Sequence, residues 1–109
     1  MNIQVDNNMQ KNDAVSVEPG VHKVLFENER VRVLDVYLAV GGKTEMHWHP
    51  DSVSYVLNGG KMRVTRPDGT VVDVELVAGK VIPGTNSEHA VENIGNSDIH
   101  TIQVEFLGK

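Results

Sequence analysis

From residue 21 onward the chain is cut by turn-forming residues into short runs rich in β-branched and aliphatic side chains. No run sustains the apolar spacing of three and four that a helix needs. "VHKVLFEN" (21–28) is followed by "VRVLDVYLAV" (31–40), which the glycines at 41–42 stop. "EMHWH" (45–49) ends at Pro50, and "VSYVL" (53–57) meets "NGG" (58–60). Such a triplet predicts a hairpin in which "KMRVTR" (61–66) returns beside the previous strand. "PDG" (67–69) predicts a second tight turn into "TVVDVEL" (70–76). "AGKVIPG" (78–84), "HAVENI" (89–94) and "HTIQVEFL" (100–107) complete the series. Eight or nine short strands at such intervals imply an all-β chain folded as an antiparallel sandwich or barrel.

At 109 residues the chain has room for one domain. Residues 1–16 are Asn/Gln-rich with isolated apolar residues and read as a flexible arm, leaving 17–109 as the domain. There is no cysteine, so a transition-metal site has to be built from His, Asp and Glu. The net charge of −5 and the scattered basic residues argue against nucleic acid and anionic membranes as partners. No apolar run approaches the ~20 residues of a membrane span. The N-terminus lacks the basic start and apolar block of a secretory signal, so a cytoplasmic location is the default expectation.

Two of the five histidines, His47 and His49, flank Trp48. On a strand, residues two apart project from one face, so both imidazoles can converge on one ion at about 2.0–2.1 Å. Two ligands hold a metal weakly. His89, which opens a strand after a glycine-bounded loop, is the candidate third. The competing reading is a pair of surface histidines.

The residues around these histidines resemble the two motifs of the cupin superfamily. Gly41, His47, His49 and Gly59 fit the first motif in order. Gly79, Pro83, Gly84, His89 and Asn93 supply the parts of the second. The resemblance spans roughly residues 24–107. It implies a double-stranded β-helix, a jelly-roll barrel of two antiparallel sheets, with one metal held inside by His47, His49 and His89. The sequence departs from the first motif where a glutamate is expected: Ser52 and Val53 stand there. Glu45 and Asp51 are the nearest carboxylates. The second motif is compressed, with Pro83 and Gly84 adjacent.

Three neutral imidazoles would leave a bound ion its full double positive charge and two or three open positions. Imidazole suits iron, zinc, nickel, copper and manganese alike. The resemblance favours Fe(II) and dioxygenase-like chemistry on a small oxygenated or carboxylated metabolite. A non-redox isomerase, lyase or hydrolase and a non-catalytic binding protein are the alternatives. Glu45, Asn93 and Glu105 are available to accept the second ring N–H of the ligand histidines. Strand parity puts Val53, Tyr55 and Leu57 on one face, and His100, Ile102, Val104 and Phe106 on another, and the apolar character of both faces predicts that they point inward. This makes Tyr55 and His100 the candidate catalytic residues, each with a core role as its competing reading. Trp48 has the opposite parity to the ligands and reads as a packing residue, Met62 and Val64 as core lining, and His22 as a surface histidine. Arg32 and Arg63 read as solvated, and would bind a substrate carboxylate if either pointed inward. The exposed first strand and the arm are elements that could extend a partner's sheet, so a homodimer is expected.

Overall fold

A computed structural model describes residues 12–108. Among these residues a single helical turn, α1 (Ala14–Val17), precedes nine strands. They are β1 (His22–Glu27), β2 (Val31–Leu38), β3 (His47–His49), β4 (Ser52–Asn58), β5 (Gly60–Thr65), β6 (Val71–Leu76), β7 (Val81–Gly84), β8 (Ser87–Asn93) and β9 (Ile99–Phe106). They form a five-stranded sheet in the order β1-β2-β9-β4-β7 and a four-stranded sheet in the order β3-β8-β5-β6. Every pairing between strands is antiparallel. Each expected strand is present. Pro83 lies on the edge strand β7, where a residue without an N–H costs no ladder bond.

The "PDG" turn joins β5 to β6 as expected. Gly69 sits at φ +90°, Arg66 N–H donates to the Thr70 carbonyl, and Asp68 accepts from the Thr70 N–H. The "NGG" hairpin does not form. β4 pairs with β9 and β7, β5 pairs with β6 and β8, and the two belong to different sheets. Neither Gly59 nor Gly60 has a positive φ. Gly59 is needed for space: a Cβ there would lie 2.0 Å from the Leu76 carbonyl oxygen. The triplet is a corner where the chain crosses between sheets.

Residues 12–16 of the expected arm are anchored to the barrel, and residues 1–11 lie outside the described part. Asp13 and Ala14 are buried, Asp13 caps α1 through the Val15 N–H, and the Trp48 N–H donates to the Asn12 carbonyl. Trp48 is buried beneath this segment and donates its indole N–H to Asn86.

The inward parity of the five-stranded sheet is the reverse of the one expected. On β9, Ile99, Thr101, Gln103 and Glu105 are buried, and on β4 it is Ser52 and Val56. The outer face is largely apolar, with the Asp35–His100 pair also on it. One row of register partners runs Phe26, Val33, Val104, Val53, Pro83 across all five strands.

Candidate metal centre

The register of β3 on β8 builds the first part of the site. His47 is the direct partner of His89, and His49 stands two residues along on the same face of β3. Partners in an antiparallel pair project together from one face, so three imidazoles meet without any loop having to fold over them. The His47–His89, His47–His49 and His49–His89 ring centroids are 4.8, 5.0 and 5.4 Å apart. A fourth ring comes from the other sheet. His22, the first residue of β1, lies 4.9 Å from the His47 ring and 5.1 Å from that of His49. His22, His47 and His49 offer ligand nitrogens that all lie within 4.8 Å of one another. His22 is 3% exposed, which corrects its reading as a surface residue.

Hydrogen bonds fix the tautomers of three rings. Nδ1 of His22 donates to the Glu18 carbonyl at 3.1 Å, and Nδ1 of His47 to the Glu45 carbonyl at 2.8 Å. Nδ1 of His49 donates to the Glu105 carboxylate at 2.6 Å. A neutral ring that donates from Nδ1 carries its lone pair on Nε2, the arrangement a metal ligand needs. Among the described residues, His47 Nε2 is a buried nitrogen with no hydrogen-bond partner, and such an atom costs free energy unless something coordinates it.

Burial, then the mutual repulsion of the rings, lowers the pKa of His22 to about 4 and those of His49 and His89 to about 3. Burial lowers His47 as well. All four rings are therefore neutral near pH 7 and free to ligate. Such a donor set fits a divalent transition metal of the imidazole-binding kind, and the fit rests on the orphaned Nε2 and the fixed tautomers.

The rings open into a cavity of about 350 Å³ between the two sheets. Its walls include Val36, Leu38, Met62, Leu76 and Ile82, with Ser52, Ser54, Thr101 and Gln103 as neutral polar groups. None of the described residues lining it is Asp, Glu, Lys or Arg.

No family model and no curated relative matches the sequence. Among solved structures, the chain is similar to a cupin domain from Bordetella pertussis Tohama I. The two are 27% identical with a TM-score of 0.72, over 79% of this chain and 91% of that one. The chain has the cupin fold. It also shares its fold with an RmlC-like cupin from Methanocaldococcus jannaschii, 17% identical, TM-score 0.62, over 79% of this chain and 78% of that one. A Thermotoga maritima protein described as a predicted oxalate decarboxylase is 22% identical, TM-score 0.56, over 78% of this chain and 77% of that one.

In this chain the position of the motif glutamate is not refilled by a neighbouring carboxylate. Ser52 faces the cavity and accepts a hydrogen bond from Gln103, while Val53 is on the outer face. Glu45 is exposed and contributes its backbone carbonyl, and Asp51 accepts from the Asn86 N–H. His22, from a different strand and sheet, stands beside the pair instead. Tyr55 and His100 do not line the cavity. Tyr55 is 47% exposed on the outer face, and His100 pairs with Asp35 there, its ring 5.3 Å from that of Tyr37. Their expected inward parity follows from apolar stripes, and in this sheet the apolar stripe faces outward.

Asn93 is buried but structural: its amide donates to the Leu38 and Ser97 carbonyls and accepts from Gly95. Arg63 is exposed and paired with Asp73. Arg32 is buried, held by Asp13 and Glu105, which corrects its reading as solvated. His22 carried one usable signal in the sequence: it opens a strand, in a chain whose motif lacks its carboxylate.

Proposed function

We propose that the chain is a mononuclear metal-dependent enzyme, dioxygenase-like, acting in the cytoplasm on a small oxygenated metabolite. The observation that carries this reading is the cluster of neutral imidazoles aimed into an otherwise uncharged cavity. His22, His47, His49 and His89 would hold the ion, with Fe(II) favoured over zinc, nickel, copper and manganese. When bound, it would supply Lewis acidity and a redox-active centre for dioxygen chemistry. The protein's own part is to bind and orient. Val36, Leu38, Met62, Leu76 and Ile82 would pack the apolar body of the substrate and exclude water. Ser52, Ser54, Thr101 and Gln103 would hydrogen-bond its oxygens.

With no cationic side chain among the described lining residues, a carboxylate has no guanidinium or ammonium to meet. A substrate with one enolate or carboxylate head and an apolar remainder therefore suits the cavity better than a dianion. The decisive measurement is dioxygen uptake by Fe(II)-loaded protein with small β-dicarbonyl and α-hydroxy acid compounds. Uptake coupled to product, and its loss in His47→Ala, is the expected result. Loaded protein that consumes no dioxygen with any of them defeats the oxygenase reading.

The relative described as a predicted oxalate decarboxylase favours a second reading, a non-redox lyase, isomerase or hydrolase. Turnover that persists with zinc in anaerobic buffer would select it. Ligand retention without turnover would select a non-catalytic binding protein.

A further inference from the structure

The segment preceding β1 reaches three of the four histidines. The Glu18 carbonyl accepts the His22 Nδ1–H at 3.1 Å. The Glu18 carboxylate accepts the Glu45 backbone N–H at 2.6 Å, and the Glu45 carbonyl in turn accepts the His47 Nδ1–H at 2.8 Å. The third route is longer and entirely buried. The Asp13 carboxylate takes two N–H groups of Arg32, at 2.7 and 3.1 Å. Arg32 Nε donates to one Glu105 oxygen at 2.7 Å, and the other Glu105 oxygen accepts the His49 Nδ1–H at 2.6 Å.

We propose that Asp13 and Glu18 belong to the metal centre as positioning residues, and that the chain Asp13–Arg32–Glu105–His49 brings to the ligands the negative charge that the cavity lacks. The inference rests on the reading that the histidine cluster holds a metal. The charges along the chain are −1, +1 and −1, so one negative charge is left over beside His49. A carboxylate on the far nitrogen of a ligand imidazole makes that ring a stronger donor. Asp13 matters because it engages Arg32: were it neutral, the guanidinium would draw more strongly on Glu105 and weaken its hold on the ring.

Capping a four-residue helix does not account for this arrangement. The cap uses one Asp13 oxygen toward the Val15 N–H at 3.2 Å, while both oxygens serve Arg32. Asp13, Arg32 and Glu105 are 3%, 2% and 0% exposed, and burying three charges is a poor device for stability in itself. The second Glu105 oxygen on a ligand ring is what a purely structural ion pair would not require.

The test is zinc and cobalt affinity of the full chain by competition with a chromophoric chelator, for wild type, Glu105→Gln and Asp13→Asn. The cobalt absorption spectrum and the melting temperature of the metal-free proteins are recorded beside it. Asparagine still caps α1 and keeps one oxygen for Arg32, so Asp13→Asn is the gentler change; measured below its metal-free melting temperature, it decides the matter if Glu105→Gln does not fold. We expect one equivalent of metal in wild type, about 10–100-fold weaker binding in Glu105→Gln, and several-fold weaker binding with altered cobalt bands in Asp13→Asn. Arg63→Gln, which breaks the exposed pair with Asp73, should bind as wild type does. Wild-type protein that takes up no metal defeats the metal-centre reading itself. Wild type that binds while Asp13→Asn and any folded Glu105→Gln bind equally well, with unchanged bands, overturns the inference and leaves the reading standing.

Discussion

At the scale of single residues, the site is a balance between burial and protonation. A buried imidazole resists protonation because its charged form loses hydration. Three of the four rings are depressed to about 4 or 3 from an ordinary value of 6.5. Below pH 6.5 the unfolded chain binds protons that the native site refuses, so stability falls as pH falls. Metal-free protein should therefore show a flat melting temperature above about pH 7. It should then decline steeply between about pH 6.5 and 4, by up to about 1.4 kcal/mol per pH unit for each ring still neutral. Melting curves across that range check the slope, and a flat profile down to pH 4 would contradict the buried neutral cluster. His22 gives the second prediction at this scale. If it is a ligand, His22→Ala should weaken zinc binding by more than the about 10–100-fold typical of outer-shell changes. Equilibrium dialysis with elemental analysis measures it, and affinity equal to wild type would reduce His22 to a neighbour of a three-histidine site.

At the scale of elements, glycines serve two different physical ends. A methyl added at Gly69 would meet nothing within 4 Å, but the residue sits at φ +90°, so Gly69→Ala incurs only backbone strain of about 1–2 kcal/mol. Gly59 has ordinary φ but abuts the Leu76 carbonyl. Gly59→Ala must push a backbone apart, and overpacking of this kind costs about 1–3 kcal/mol or more. Urea midpoints should rank the two, with Gly59→Ala the less stable. The reverse order would mean that the crossing between β4 and β5 can yield.

At the scale of the whole molecule, the outer face of the five-stranded sheet stands out. Phe26, Tyr55, Val81 and Phe106 on it are 54%, 47%, 63% and 44% exposed, beside the apolar row through Val33, Val104 and Val53. A contiguous apolar face of this kind marks an interaction surface. We propose that a second copy covers it, because an apolar sheet face can meet its own copy across a twofold axis with the same residues on both sides. Light scattering on a sizing column should give twice the 12.0 kDa of one chain. Tyr55→Glu should return the single mass with the fold intact. A wild-type mass of one chain would remove the proposal. Dimerisation would also explain why Ile102, Val104 and Phe106 look like core residues while facing away from the cavity.

The strands and the local geometry of the His47–His49 pair were legible in the order of the residues, because alternation and turn chemistry act between near neighbours. Likeness to cupin motifs also pointed to His89, whose register opposite His47 the fold then supplied. Which side of the five-stranded sheet is inside was settled only when the chain closed on itself. An apolar stripe and a polar stripe on β9 are equally regular, and here the polar one, ending at Glu105, is the buried one since it borders the histidines. The fourth imidazole was hidden for the same reason. His22 and His47 are twenty-five positions apart on strands of different sheets, and no rule of local spacing connects them. Closure of the barrel does.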